Sequence, residues 1–164
     1  MSSKDVLVFI ETRRGQIKRS SVEALSEGRR LASALGGSVI ALLAGDGSKG
    51  LAPQLAAQGP DRILACEDEA LSLYQPEAYA ALLAHTATRS GAGVVLLSAT
   101  AMGKDLGPRA AAKLEAGLAA DCTQIEVADG ALRAKRPVYS GKAIATVAFS
   151  GSPGLITLRP NVFP

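Results

Sequence analysis

The sequence contains very few aromatic residues and no tryptophan. Aromatic side chains make up only 4% of its 164 residues, so a folded core has to be filled by alanine, leucine, valine and isoleucine. The hydrophobic content of 48% is nonetheless typical of a globular chain and not of a disordered one. At this length we expect one domain, covering residues 1–164, with a sizeable buried core.

Histidine and cysteine are also scarce, which removes most metal-binding and nucleophilic chemistry. The one histidine, His85, lies in an alanine-rich helical segment, where we expect a surface or partly buried position. A histidine metal cluster or a Ser–His–Asp triad could form only around that residue. The two cysteines, Cys66 and Cys122, are far apart and belong to no Cys-x-x-Cys pair. We expect reduced, buried thiols and no metal site.

Long apolar segments are missing as well. No apolar run approaches the ~20 residues that a membrane-spanning helix requires. The first residues, MSSKDVLVFIE, have one lysine and an acidic residue beside a short apolar segment, without the longer apolar region of a secretory signal. We therefore expect a cytoplasmic protein without direct membrane insertion.

The net charge of +3 is modest, and its basic residues cluster near the start of the chain. Arg13, Arg14, Lys18 and Arg19 stand close together, and the pair at positions 29–30 follows. No aromatic residues alternate with them and no recognition motif accompanies them, so we do not predict nucleic-acid binding. A solvated face, or a surface for an acidic partner, is favoured.

Short apolar segments alternate with segments of helical periodicity over the first two thirds of the chain. Ser20 and Glu23 have capping-box spacing, which predicts a helix that ends at the Gly36–Gly37 pair. Predicted strands are Val6–Ile10, Ser38–Leu43, Arg62–Cys66 and Val94–Leu97, and further predicted helices are Leu51–Gln58, 76–91 and Lys104–Glu115. This alternation predicts a three-layer α/β/α fold, with a parallel sheet covered by helices on both faces.

The pattern changes after Gly117. Short predicted strands at Cys122–Val127, Leu132–Val138, Ala143–Phe149 and Leu155–Arg159 are separated by glycine-containing turns. Short strands joined by such turns predict a C-terminal antiparallel meander within the same domain.

Two loops have the composition of phosphate-binding sites. Residues Gly45–Gly50 form a literal G-x-G-x-x-G between a strand and a helix. They belong to the second strand–helix connection, however, and Leu51 and Ala52 stand where a P-loop needs Lys and Ser or Thr. A glycine-rich turn is therefore favoured over a dinucleotide site.

The second loop follows the fourth predicted strand and runs from Ser98 to Arg109. It places Thr100, Gly103, Lys104 and Asp105 at the start of a helix, where free N–H groups can bind a nucleotide or another anion. The alternative is that Thr100 or Asp105 caps the helix and Arg109 pairs with a carboxylate.

No catalytic group is evident elsewhere. Glu11 ends the first predicted strand without an evident partner, and no G-x-S-x-G motif is present. We therefore predict a protein that is not an enzyme.

Several segments in the same order resemble the N-terminal domain of the electron transfer flavoprotein alpha subunit. They are VLVFIETRRGQIKRSSVEALSEGRRLA (6–32), LAAQGPDRILACED (55–68), LLSATAMGKDLGPRAAAKL (96–114), GLAADCTQIE (117–126), KRPVYSGKAIATV (135–147) and LRPNVFP (158–164). The departures are small: Lys104 stands where arginine is usual, and Gly107 where alanine is usual.

The resemblance implies a Rossmann-like fold of the adenine nucleotide alpha hydrolase type. It also implies a beta-subunit partner that holds AMP, and one FAD held mainly by a C-terminal domain that this chain lacks. The complete complex would carry electrons from dehydrogenases to a membrane quinone reductase, and this domain would be a scaffold and subunit interface. We expect it to self-associate when isolated. The alternative is a stand-alone adenine-nucleotide-binding, universal-stress-like module that uses one of the two loops.

Overall fold

A computed structural model describes residues 3–164 of the chain. The strands are β1 (Val6–Ile10), β2 (Thr12–Arg13), β3 (Gln16–Ile17), β4 (Val39–Ala44), β5 (Arg62–Cys66), β6 (Val94–Ser98), β7 (Leu118–Cys122), β8 (Gln124–Ala128), β9 (Ala131–Val138), β10 (Ala143–Ala148) and β11 (Gly154–Leu158). The α-helices are α1 (Arg19–Leu35), α2 (Ala52–Ala56), α3 (Pro76–Ser90) and α4 (Ala101–Lys113), and short 3₁₀ helices cover Ser48–Leu51 and Glu69–Leu71.

Six strands form the central sheet, in the order β5-β4-β1-β6-β11-β7. All five pairings in it are parallel. Strands β1, β4, β6 and β11 are buried at every residue, because both faces of the sheet are covered. The predicted α/β fold with a parallel sheet is confirmed.

The core has one hydrophobic layer on each face of this sheet. Helix α1 packs on one face together with the small antiparallel sheet β10-β9-β8, which supplies Ile125 and Ala134. Helices α3 and α4 pack on the other face, through residues such as Leu83 and Leu106. The antiparallel strands therefore extend one covering layer of the same core.

The predicted four-stranded meander is partly wrong. The last predicted member, Leu155–Arg159, corresponds to β11 and joins the central sheet in parallel, beside β7, which was not predicted. Only β8, β9 and β10 form the antiparallel meander. The predicted strand Cys122–Val127 is divided at Thr123, next to a bulge at Asp121, which has φ of +58°. A short apolar segment does not reveal its pairing partner, so its sequence fits either sheet.

The end of helix α1 was predicted correctly, but its start was not. Helix α1 ends at Gly36 in the left-handed conformation, as the glycine pair predicts. The capping box at its start is wrong, because the helix begins at Arg19 after Lys18 and the hydroxyl of Ser20 is buried without a hydrogen-bond partner. Glu23 instead accepts a hydrogen bond from the N–H of Asn161 at 2.8 Å.

Two other predicted helices have different bounds. The segment predicted as Leu51–Gln58 is a 3₁₀ turn followed by the five-residue helix α2. Helix α4 begins at Ala101, three residues before the predicted start, because Thr100 caps it. Within residues 3–164, no helix is long and apolar enough to cross a membrane.

Helix α4 approaches strand β6 so closely that its third residue has no room for a side chain. A Cβ atom on Gly103 would lie 1.7 Å from the carbonyl oxygen of Ser98. Since that oxygen belongs to a fully buried strand, it has no space into which to move. The contact fixes the distance between helix and sheet at the edge where the candidate binding loop lies.

We predict that Gly103→Ala destabilises the protein by about 3 kcal/mol or more, because relief of the clash requires backbone movement. Gly50→Ala is the matched control, since a Cβ atom at Gly50 meets open space. Urea unfolding of both variants and of the wild type measures the difference. Equal stability of the two variants would contradict the close approach.

Candidate functional site

The end of strand β1 meets the start of helix α4 at a hydrogen bond between two side chains. Glu11 directly follows β1 and is 8% exposed. The hydroxyl of Thr100 donates to Oε2 of Glu11 at 2.5 Å, and Nζ of Lys18 lies 3.3 Å from Oε1. The N–H of Glu11 donates to Oγ of Ser21 at 2.8 Å. The expectation that Glu11 has no partner is therefore wrong.

Thr100 also caps helix α4. Its Oγ1 accepts a hydrogen bond from the N–H of Gly103 at 3.1 Å. A hydroxyl has one proton to donate, and here that proton is directed at Glu11. Two of the four candidate groups, the Thr100 hydroxyl and the Gly103 amide, are thus bonded within the chain. This is the capping arrangement that the sequence allowed as an alternative.

Asp105 belongs to a network of side chains from helices α3 and α4 and from the loop before α3. The Tyr74 hydroxyl donates to Oδ2 of Asp105 at 2.7 Å, and Nε of Arg109 lies 3.1 Å from both carboxylate oxygens. Arg109 also donates through Nη1 to Glu77 at 2.9 Å. The hydrogen bond from Tyr74, together with that from Arg109, holds the pKa of Asp105 below its ordinary value. Burial and the contact with Asp105 raise the pKa of Tyr74.

Lys104 differs from the other three candidates. It is exposed and forms no ion pair with any residue in the described part of the chain. Its charge acts on Asp121, whose carboxylate is bound by Arg159 at 2.6 Å and 3.2 Å. The hydrogen bond from Arg159 is the main reason that the pKa of Asp121 is lowered, and the charges of Lys104 and Arg136 add to it. Of the four candidates, Lys104 is the one with its charge available to an external anion.

The glycine-rich loop Gly45–Gly50 does not have the surroundings of a phosphate-binding loop. It leads into the four-residue 3₁₀ helix and then into α2, so no long helix begins there. The N–H of Lys49 donates to the Glu67 carboxylate at 3.0 Å, and Oγ of Ser48 donates to the Cys66 carbonyl at 3.2 Å. A carboxylate of the chain thus occupies a backbone amide that a phosphate would need.

The histidine and the two cysteines do not form a metal-binding cluster among the described residues. Among residues 3–164, no three histidine, cysteine, aspartate or glutamate side chains are placed to hold a metal ion. His85 is exposed, as predicted, and both cysteines are free thiols. Cys122 is buried as predicted, whereas Cys66 is half-buried. Burial raises the pKa of Cys122 to about 11, which keeps this thiol protonated at neutral pH.

From the sequence, Glu11 was singled out but its contact with Thr100 was missed, and the role of Tyr74 was missed altogether. A signal for Glu11 existed, since β1 and β6 are neighbouring parallel strands and their carboxyl ends meet at one edge. No comparable signal existed for Tyr74, which lies 31 residues from Asp105 in the chain.

Comparison with known proteins identifies the family of the chain. The family model described as "Electron transfer flavoprotein domain" matches residues 6–164. The chain belongs to this family. The resemblance noted in the sequence is confirmed over nearly the whole chain.

Three relatives illustrate the likeness. Protein FixB of Clostridium saccharobutylicum is 42% identical over 163 residues, which cover 98% of this chain and 48% of that protein. The electron transfer flavoprotein subunit alpha of Clostridium acetobutylicum is 37% identical over the same shares of the two chains. The acryloyl-CoA reductase electron transfer subunit beta of Anaerotignum propionicum is 32% identical over 186 residues, covering 98% of this chain and 51% of that protein. The chain therefore spans about half the length of these electron transfer flavoprotein relatives.

The contact between Glu11 and Thr100 predicts a stability difference. Thr100→Val removes the helix cap and one partner of a buried carboxylate, for which we expect a loss of about 2 to 4 kcal/mol. The control is Thr146→Val, at an exposed position of β10 where the hydroxyl makes no hydrogen bond with a described residue. We expect a change within about 0.5 kcal/mol there. Urea unfolding measures both, and comparable losses would contradict a special role for Thr100.

The Asp121–Arg159 pair predicts a pH dependence. The pKa of Asp121 is lower in the folded protein than its ordinary value of 3.8. The pair with Arg159 therefore stabilises the folded protein fully at pH values above 3.8. This stabilisation is lost as the pH falls through the lower pKa that Asp121 has in the folded state. We expect Asp121→Asn to flatten the fall in unfolding free energy below about pH 4.

The matched control for this substitution is Asp129→Asn. Asp121 and Asp129 have nearly the same left-handed backbone, with φ of 58° and 53°, which asparagine also adopts. Asp129 is exposed and forms no ion pair within residues 3–164. Urea unfolding between pH 3 and pH 6 should show a flatter profile for the variant at 121 and a wild-type profile for the control. The same profile for both variants would contradict the assignment.

Proposed function

We propose that this chain is the scaffold and subunit-interface domain of an electron transfer flavoprotein alpha subunit. In this proposal it pairs with a beta subunit that holds AMP, while FAD is bound mainly by a second domain of the alpha subunit. The complex carries electrons in the cytoplasm from dehydrogenases to a membrane quinone reductase, and this domain itself is not an enzyme. The observation that carries the proposal is the family match over residues 6–164. The printed names of relatives, an alpha subunit and an electron transfer subunit beta, support it.

The chemistry of the sheet edge supports a structural role for this domain. Thr100 and Gly103 are engaged in capping, and Asp105 is held by Tyr74 and Arg109. A nucleotide that used these three groups would have to break these contacts. No observation favours the alternative of a stand-alone adenine-nucleotide-binding module, although nucleotide or anion binding by this loop remains a prediction.

The β9–β10 hairpin is the surface that we propose for the beta subunit. Tyr139 is 81% exposed and Ile144 is 58% exposed, and both lie on this one hairpin. Large apolar side chains exposed together at a hairpin tip are typical of an interface. The same exposed side chains would cause the isolated chain to self-associate.

We predict that the chain binds an electron transfer flavoprotein beta subunit and is colourless when purified alone, because in this proposal residues 1–164 do not hold the flavin. Tyr139→Ser with Ile144→Ser should weaken binding at least about tenfold, since exposed aromatic and aliphatic anchors dominate interface energies. Leu73→Ser, which removes a side chain 74% exposed elsewhere, is the control. Calorimetric titration with the beta subunit measures the affinities.

Titration of the same chain with AMP distinguishes the scaffold proposal from the alternative of a nucleotide-binding module. Saturable binding of AMP that is lost in Lys104→Ala, without binding of the beta subunit, would overturn the scaffold proposal in favour of a nucleotide-binding module. Stoichiometric flavin absorbance of the isolated chain would show that the flavin site had been placed in the wrong domain.

A further inference from the structure

A concave pocket lies between the short β2–β3 hairpin and the first turn of helix α1. Its volume is about 470 Å³, and it is lined by Arg13, Arg14, Gln16, Ile17, Lys18 and Arg19. Four of these six residues are cations. We name it the hairpin pocket, and it is separate from both glycine-containing loops considered above.

The hairpin pocket carries an excess of positive charge. Nζ of Lys18 lies 3.3 Å from Glu11, and Nε of Arg19 lies 3.4 Å from Glu23. Arg13 and Arg14 are exposed and make no ion pair with another residue in the range 3–164. Four cations against two carboxylates leave two positive charges without a counter-charge from residues 3–164. Both belong to guanidinium groups on the hairpin.

The backbone of the hairpin holds these two arginines in place. Arg13 pairs with Gln16 across the ribbon, and the turn residues Arg14 and Gly15 both have positive φ, 51° and 71°. This is the tight two-residue turn that suits the twist of a hairpin. The N–H of Lys18 donates to the carbonyl of Glu11 at 3.0 Å and ties the ribbon to the end of β1. The cations are therefore presented on a fixed support, which lowers the entropy lost when an anion binds.

The start of helix α1 adds to the positive potential of the pocket. Its first turn has no acidic residue, and Lys18 at the cap position provides no side-chain acceptor. The first turn itself therefore adds no negative charge beside the positive end of the helix dipole, and the two nearby carboxylates, Glu11 and Glu23, pair with Lys18 and Arg19. The buried hydroxyl of Ser20, in the same turn, also lacks a partner.

We propose that the hairpin pocket binds the phosphate or diphosphate group of a small molecule. Guanidinium groups bind phosphate through two parallel hydrogen bonds, and two of them are free here. The four cations line one open pocket instead of forming a long stripe, which fits a compact anion better than a nucleic acid or an extended acidic peptide. The volume lies within the range of small-molecule sites.

The probe for this proposal is inorganic pyrophosphate, titrated into the full 164-residue chain at low ionic strength and followed by calorimetry. The test variant is Arg13→Gln with Arg14→Gln, since neither side chain contributes an ion pair to the fold. The control is Arg133→Gln with Lys142→Gln, which removes two exposed cations without ion pairs from the β9–β10 region and gives the same change in net charge.

We expect saturable pyrophosphate binding that falls at least about tenfold in the hairpin variant and stays within about twofold of wild type in the control. In heteronuclear NMR spectra, the amide signals of Arg19 and Ser20 should shift on titration in the wild type and the control. Equal weakening in both variants would show attraction by net charge alone and overturn the proposal. Absence of saturable binding, or tighter binding of a hexaglutamate peptide than of pyrophosphate, would overturn it too.

Since AMP also carries a phosphate, loss of AMP binding in the hairpin variant but not in Lys104→Ala would assign that binding to the hairpin pocket.

Discussion

The hydroxyl of Thr100 connects the central strand β1 to helix α4. It donates to the buried carboxylate of Glu11 and accepts from the N–H of Gly103, so one oxygen satisfies both a strand end and a helix end. This geometry requires the helix to come very close to strand β6, and glycine at position 103 makes that approach possible. A residue with a side chain there would push the helix away and separate Thr100 from Glu11. The packing of α4 and the burial of a charged group therefore depend on one another.

This contact lies where open α/β sheets usually bind their ligands, at the carboxyl ends of the strands near a helix start. In this chain Thr100, Glu11 and the N–H of Gly103 satisfy each other at that edge, while the buried hydroxyl of Ser98 has no partner among residues 3–164. Asp105 and Asp121 follow the same rule, since each carboxylate is bound by an arginine of the chain. Polar groups used in this way stabilise the domain and leave few directions from which a ligand can be held. Such an edge supports the structural role proposed above.

The sequence predicted those parts of the structure that depend on local chemistry. Gly36 ends helix α1 and Pro76 begins helix α3, because left-handed backbone and a missing N–H are properties of single residues. Strand β7 was not predicted, and the pairing of β11 with the central sheet was missed, since an apolar segment of five residues has the same pattern in either sheet. The capping box failed because Glu23 binds the N–H of Asn161, a partner 138 residues away. In the candidate site, the loop was predicted from its position after β6, whereas its partners Glu11 and Tyr74 come from distant segments.

Glu11 also links the carboxyl edge of the sheet, at Thr100, to the hairpin pocket. One of its carboxylate oxygens binds Thr100, and the other faces Lys18 at the base of the hairpin. Glu23 has the same double role, since it contacts both Arg19 and the backbone of the C-terminal segment. These two carboxylates orient Lys18 and Arg19, while Arg13 and Arg14 have no counter-charge from the described part of the chain. The net charge of +3 is small, so it is the placement of the unpaired cations, and not their number, that makes this hairpin the place for an anion.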